Sequence, residues 1–381
     1  MAPVTAALLT VRALTGISAI EEFATTWDTL VEGMPRPSPY LFSAWVTAWL
    51  AEPAFAGEPH VVVAERGGEL VGFAPFVMRS AGRARIAMFA GAHESALCDI
   101  VLAPGEPPET ARVLLGYLAR SGMHALDVFG LPSNSALAGA AGSRMRVIER
   151  VESPVTEMPD GWDDAYKRHT SSNRRNQDRR RERQLEDLGS LETSLATSGE
   201  AVLKDLPDAF ALHHMRWQGR PDGSTFGLPA GRRFQSAALP QLADQGRFAM
   251  LTLRLGGRPI AFHCWFVAGS TIYLHRNAFD ASLARYGPGL VALRRSLAAS
   301  SELGARRVEY LGGAEQFKRD LADRFEPLHQ GFGLARGPAG RAYVARAQLA
   351  IAVRKRLKRS ERLHRLYLSG ALRPRRNVKS A

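Results

Sequence analysis

The sequence predicts an α/β protein built from two tandem units, each a mixed, mostly antiparallel sheet flanked by helices. Three observations predict it. The chain has 381 residues, 45% hydrophobic and 23% charged, which exceeds one average domain and fills a sizeable core. A hairpin signal occurs twice, and each hairpin is followed by the same helix–glycine–strand pattern. The expected division is an N-terminal unit over 1–155, an Arg-rich helical connector over 156–190, a C-terminal unit over 191–340 and a basic tail over 341–381.

The start, "MAPVTAALLTVRALTG", is apolar but has no basic leader and soon meets Arg12. With no uninterrupted apolar run long enough to span a bilayer, neither a signal peptide nor a transmembrane helix is expected. The first hairpin follows in "VVVAERGGELVGFAPFVM" at 61–78, two apolar strands around a Gly-Gly turn. The second is "AMLTLRLGGRPIAFHCWFV" at 249–267. Downstream, "LLGYLARSGMHALDVFGL" (114–131) parallels "LRRSLAASSELGARRVEYLGG" (293–313), each a helix with apolar i, i+3, i+4 spacing, a glycine stop and a short buried strand. A Pro-Gly pair precedes each helix, at Pro104-Gly105 and Pro288-Gly289. Asp127 in the first unit corresponds to Glu309 in the second, and for Glu309 a structural role is expected.

The loops before those helices differ. "RYGPG" opens its helix with two glycines, which suits a backbone that approaches an anion at the positive end of the helix dipole. Arg285 is a charge partner there, and the amides from Gly287 through Gly289 to Leu290 are the expected donors. The first loop, "LAPGEPPETAR", carries Glu106 and Glu109, which repel a phosphate, and prolines, which remove donors. It marks a structural or acceptor-binding half.

The net charge of +13 is local: Lys167–Arg183 carries +6 and Arg354–Lys379 carries +10, which leaves the body slightly acidic. Such arms suit local contact with a polyanion or an anionic membrane. From Ser171 to Gln184 no residue is apolar, so a solvated helix is expected, with Asp178 and Glu182 paired to Arg175 and Arg179. In the tail, Val353, Leu357 and Tyr367 fall near one face of a basic helix, a pattern suited to an anionic bilayer surface. Two distant cysteines, Cys98 and Cys264, fit a reducing cytoplasm.

The unit of hairpin, anion loop, helix and strand resembles the GNAT acyltransferase core, and its tandem arrangement resembles the FemAB-like branch, most closely the CelD-type acetyltransferases of cellulose and exopolysaccharide synthesis. The resemblance runs from about Tyr40 to Phe332 on "YLFSAWVTAWL", the Arg-rich segment after Trp162, "RPIAF", "YGPGLVAL" and "GGAEQFKRDLADRF". The last is similar to a Gly-x-Glu-x-Tyr/Phe-Lys signature at Gly313, Glu315, Phe317 and Lys318. One residue is missing between Arg285 and Gly287 relative to the usual GNAT loop.

The resemblance implies acyl-CoA, most simply acetyl-CoA, as co-substrate and an amine or hydroxyl of a small-molecule or glycan acceptor, with no metal. The proton acceptor is then His263, Asp280 or a relayed water, and Tyr286 is a candidate donor to the leaving thiolate. His263 also fits a core histidine, and Asp280 a turn residue. Arg175, Arg179, Glu315 and Lys318 are expected at the substrate. The sequence has no Gly-x-Ser-x-Gly elbow, Cys-x-x-Cys, His-Glu-x-x-His or P-loop, so covalent, metal and nucleotide-hydrolysis chemistries are disfavoured. An aminoacyl-tRNA-dependent transferase and a non-catalytic binding module for a polysaccharide or lipid-linked intermediate remain as alternatives.

Overall fold

The computed structural model of the protein describes residues 8–55, 57–92, 94–217, 225–312 and 315–359. The first half runs β1 (Leu9–Leu14), α1 (Ser18–Glu21), α2 (Ala24–Glu32), α3 (Ser43–Ala51), β2 (Glu58–Arg66), β3 (Glu69–Ala81), β4 (Ala84–Phe89), β5 (Val101–Leu102), α4 (Pro108–Arg120), β6 (Ala125–Leu131), α5 (Ala136–Ala141) and β7 (Met145–Glu157). Two helices follow, α6 (Trp162–His169) and α7 (Ser172–Glu186). The second half runs β8 (Leu191–Ala196), α8 (Gly199–Trp217), α9 (Pro229–Asp244), β9 (Phe248–Leu255), β10 (Arg258–Ala268), β11 (Thr271–Phe279), α10 (Pro288–Glu302), β12 (Arg307–Glu309), α11 (Gln316–Asp320), β13 (Arg324–Gly333) and α12 (Gly337–Arg359).

Both expected hairpins form, as β2–β3 and β9–β10. Gly67, Gly68, Gly256 and Gly257 all have positive φ, the conformation that a tight turn between right-twisted strands requires and that only glycine adopts without strain. The two halves then repeat one pattern. Antiparallel strands β1-β2-β3-β4 end on parallel β6, and β8-β9-β10-β11 end on parallel β12.

The division into separate units is where the structure departs from expectation. All strands join one sheet in the order β1-β2-β3-β4-β6-β13-β7-β12-β11-β10-β9-β8, with β5 on β3. Strand β13, from the span expected to form the second unit, lies between β6 and β7 of the first. It pairs with β7 from Arg324↔Val155 to Gly333↔Met145, and the end of β7 goes on to pair with β12. The two halves therefore share a continuous ladder through their centre.

Strand alternation sorts the second half into two faces. Phe262, Cys264 and Phe266 of β10 join a large core with Trp27, Trp45, Phe226 and Phe234, on the α8/α9 side. Trp265 joins a second core with Trp162, Leu185, Leu293 and Leu297, on the α10 side.

Helix α7 is not fully solvated. Asp178 is buried and takes hydrogen bonds from the Tyr166 hydroxyl (2.7 Å), Arg174 (3.2 Å) and Arg181 (2.8 Å). Glu182 bridges to Arg294 and Arg295 of α10. Leu185 alone anchors the helix in the apolar core, and the rest of its docking is polar. The partners differ from the expected Arg175 and Arg179 because Asp178 faces Tyr166 of α6 beside Arg174 and Arg181 of its own helix, and Glu182 faces α10.

The tail begins as α12, whose Tyr343 and Val344 pack on Ala84, Ile86 and Ala125 while the Tyr343 hydroxyl donates to Asp127 (2.7 Å). Beyond that contact Leu349 and Val353 are exposed. The Leu357 side chain and Tyr367 lie outside the described residues. Among the described residues no helix is long and apolar enough to cross a membrane.

Candidate functional site

The site arises where two parallel strands part. β11 and β12 pair only from Thr271↔Arg307 to Tyr273↔Glu309. β11 continues to Phe279, whereas the chain after Glu309 turns away through Leu311, which is held at φ 54°. A non-glycine residue in that region costs about 1–2 kcal/mol, strain that the surrounding packing must hold in place. The gap becomes a cavity of about 230 Å³ between Leu274–Asn277 and Tyr310–Gly312. Its remaining wall comes from Lys318 of α11 and, from the first half, Tyr40, Glu94–Ala96 and Phe129.

The polar groups of this seam cavity are held out of water. Glu94 pairs with Arg276 (3.1 Å) and accepts a hydrogen bond from the Thr225 hydroxyl; burial raises its pKa, and Arg276 opposes the rise. His275 sits among Tyr40, Trp45, Phe226 and Phe266, with neither ring nitrogen hydrogen-bonded among the described residues. Burial lowers its pKa well below the usual value, with Arg276 and His213 adding to the effect, so its ring is neutral. Lys318 is buried, donates to the Gly312 carbonyl (3.0 Å) and pairs with Glu315 (3.1 Å).

A second cavity, about 320 Å³, lies along the first turns of α10. Leu290, Leu293, Phe317 and Leu321 make it apolar, while Arg174 and Arg294 supply guanidinium groups. Helix α11 contributes to both cavities: Phe317 and Asp320 face this one and Lys318 the other.

The turn that opens α10 differs from a generous amide cradle. Gly287 is left-handed, but its N–H donates to the Ala284 carbonyl, Pro288 has none, and Leu290 N–H bonds the Gly287 carbonyl. Of the expected donors, Gly289 N–H alone has no backbone acceptor among the described residues. Gly289 is small for a second reason: a Cβ there would sit 2.8 Å from the Phe279 ring. Leu290 lines the cavity, and the Arg181 side chain covers Gly287. Arg285 instead stacks on Tyr286, 4.6 Å from the ring centroid, and neither residue lines either of these two cavities.

The expected proton acceptors fall elsewhere. Asp280 caps the turn Ala281–Tyr286 through Ser282 and pairs with Arg258 (3.0 Å); the Ser282 hydrogen bond is the main cause of its lowered pKa. That makes it a turn residue. His263 alternates onto the α10 face, is buried, and has its pKa pushed down to about 3 by burial and then by Lys318. Its Nδ1 has no partner among the described residues, and it borders neither cavity. A group so reluctant to take a proton is a poor base.

Arg175 donates to the Thr170 and Lys167 carbonyls and so closes the end of α6, and Arg179 is exposed beside Asn176. Glu315 is the exposed rim partner of Lys318. Gly313 lies outside the described residues. Glu309 is structural, with ion pairs to Arg36 (2.7 Å) and Arg307 (2.8 Å). Sequence reasoning missed Glu94, Arg276, Arg174 and Arg294. The first lies in the irregular stretch "GAHESALCDI", and nothing in its local pattern points across to β11. Among the described residues no group of three or more His, Cys, Asp or Glu gathers as a metal site.

Residues 172–319 match the family model of the acetyltransferase (GNAT) domain, which spans both cavity-lining helices α10 and α11. No curated protein sequence matches the chain. Among solved structures, FemX is similar with a TM-score of 0.58 at 11% identity, covering 84% of this chain and 96% of that one. The C-terminal domain of a putative lysylphosphatidylglycerol synthetase from Agrobacterium fabrum gives 0.54 at 14% identity, covering 89% and 97%. A tandem GNAT protein from the clavulanic acid biosynthesis pathway gives 0.50 at 13% identity, covering 85% and 98%. At these identities the likeness is one of fold: that of tandem GNAT-like proteins.

Proposed function

We propose that this chain, which carries a GNAT-type acetyltransferase domain, takes an acyl group from acyl-CoA, most simply acetyl-CoA, and delivers it to an amine or hydroxyl of a cell-envelope or polysaccharide-related acceptor. The observation that carries this reading is the pair of cavities sharing α11. The donor lies along α10, its phosphates near the dipole end and the guanidinium groups of Arg174 and Arg294. Its thioester reaches toward Lys318, and the acceptor enters the seam cavity from the first half. The nucleophile attacks the carbonyl directly, and the Lys318 ammonium faces the oxyanion that forms.

Calorimetry with acetyl-CoA tests the donor site. Leu290→Glu places a carboxylate at the first turn of α10 and is expected to weaken binding at least ~10-fold, about 1.4 kcal/mol, with Tm retained. Glu106→Gln at the start of α4 is expected to leave affinity unchanged. Equal effects from the two substitutions overturn the assignment of the donor to the second half.

One observation favours a second reading. Arg179, Arg180 and Arg183 are exposed on α7 and form no ion pair among the described residues, as a polyanion-binding face requires. Binding of aminoacyl-tRNA, weakening steeply with salt, together with no binding of acetyl-CoA, replaces acyl-CoA by an aminoacyl donor.

A further inference from the structure

We infer that Glu94, supplied by the first half, accepts the proton from the acceptor nucleophile in the seam cavity. The inference rests on the acyl-CoA reading above and adds to it the group that activates the acceptor. Four features place Glu94 there. It lines the cavity, its side chain is 3% exposed, and it reaches across the seam to Arg276. The Thr225 hydroxyl takes up Oε1 and Arg276 meets Oε2, so the carboxylate is oriented rather than free to rotate. Burial makes it more basic than an ordinary glutamate. The other groups around the cavity are poor proton acceptors. Arg276 and Lys318 are cations, the Tyr40 hydroxyl is driven to a higher pKa by burial, and His275 is held neutral with His213 of α8 beyond it.

The step balances without a further reactant. The amine nitrogen bonds to the thioester carbonyl carbon, and its proton passes to the Glu94 carboxylate. The carbon–sulfur bond breaks with its electron pair left on sulfur. Protonated Glu94 then returns the proton to the thiolate or to solvent. Arg276 acts as a positioning residue, since it touches the carboxylate rather than the reacting atoms.

Two amines of equal size and different basicity test this. Each attacks as the free amine and must then shed one proton: the ammonium formed from ethylamine is weakly acidic and needs a base, whereas that formed from methoxyamine is acidic enough to release its proton to water. With acetyl-CoA as donor and thiol release as readout, Glu94→Gln is expected to lower kcat/KM for ethylamine ~100-fold and for methoxyamine less than ~10-fold, with acetyl-CoA affinity retained; any loss of Tm from the unpaired Arg276 guanidinium bears on both amines alike. Glu94→Asp keeps a carboxylate and is expected to recover part of the ethylamine rate. In the wild type, ethylamine transfer falls with one proton from the amine itself and a second below the titration of Glu94, and this second dependence needs no variant to observe. Equal losses with both amines, no loss with either, or absence of the second proton overturns the role of Glu94 and leaves the donor reading intact. Wild-type protein that binds no acetyl-CoA overturns the donor reading and this inference with it.

Discussion

The helices α4 and α10 occupy corresponding places in the two halves, yet their N-termini are treated in opposite ways. At α4 the chain supplies its own anion: the Glu106 carboxylate accepts from Arg66 (2.6 Å) and from Thr110 (2.6 Å) in the first turn, behind Pro107 and Pro108. At α10, among the described residues, no carboxylate occupies the turn and the Gly289 N–H has no backbone acceptor, and Arg181 lies over Gly287 beside a cavity. The dipole is present in both helices. The first half thus fills its helix end with its own carboxylate, whereas the second sets guanidinium groups around its helix end, where the donor proposed above has its phosphates.

The halves also differ in how they hold histidine. In the second half His213 and His263 are both pushed down to about 3, chiefly by burial, and His275 lies well below its usual value. The first half has His60, lowered in the same sense but only partly buried. An unfolded histidine takes its proton near pH 6.5, so between there and pH 3 only the unfolded chain binds it. Stability is therefore full above pH 6.5 and falls as pH falls, at about 1.4 kcal/mol per pH unit for each such histidine. Denaturant unfolding at pH 7 and pH 5 is expected to show that His263→Gln removes about 2 kcal/mol of this loss. An equal change on His60→Gln breaks the contrast.

The acidic counterparts Glu309 and Asp127 sharpen the comparison. Glu309 is buried against two cations, Arg36 and Arg307, and Arg36 comes from the first half. Asp127 accepts from the neutral Gln330 amide (2.9 Å) and Tyr343 hydroxyl (2.7 Å). Glu309→Gln leaves Arg36 and Arg307 to share Glu326 alone and is expected to cost about 3 kcal/mol, whereas Asp127→Asn keeps a polar partner and costs about 1–2 kcal/mol. Similar losses would mean that the seam between the halves is not held by its ion pairs.

Local signals explain how much of this was legible. The Gly-Gly hairpins, the glycine stops and the apolar stripe of α10 are written in residues close in sequence, and they formed as expected. The insertion of β13 between β6 and β7 depends on pairing across about half the chain, which no local pattern encodes. The site was partly visible because Lys318 and Leu290 sit beside recognisable motifs. Glu94 was invisible because its chemistry comes from Arg276 and Thr225, far along the chain in the other half. Arg175 misled for the converse reason: an arginine near a helix end closes carbonyls as readily as it binds a ligand.

The smallest expected effect separates two reasons for being glycine. Gly105 has φ 82° with open space around it, so Gly105→Ala meets only backbone strain, about 1–2 kcal/mol. Gly289 lies in helical backbone, where alanine is conformationally favoured, but its new methyl would press on the Phe279 ring at 2.8 Å. Overpacking of that kind costs about 1–3 kcal/mol, and it is relieved by shrinking the neighbour. Phe279→Leu is therefore expected to recover part of the loss from Gly289→Ala and none of the loss from Gly105→Ala, as read by Tm in a double-mutant cycle. Additive effects at Gly289 would show that its smallness serves the turn itself rather than the contact with β11.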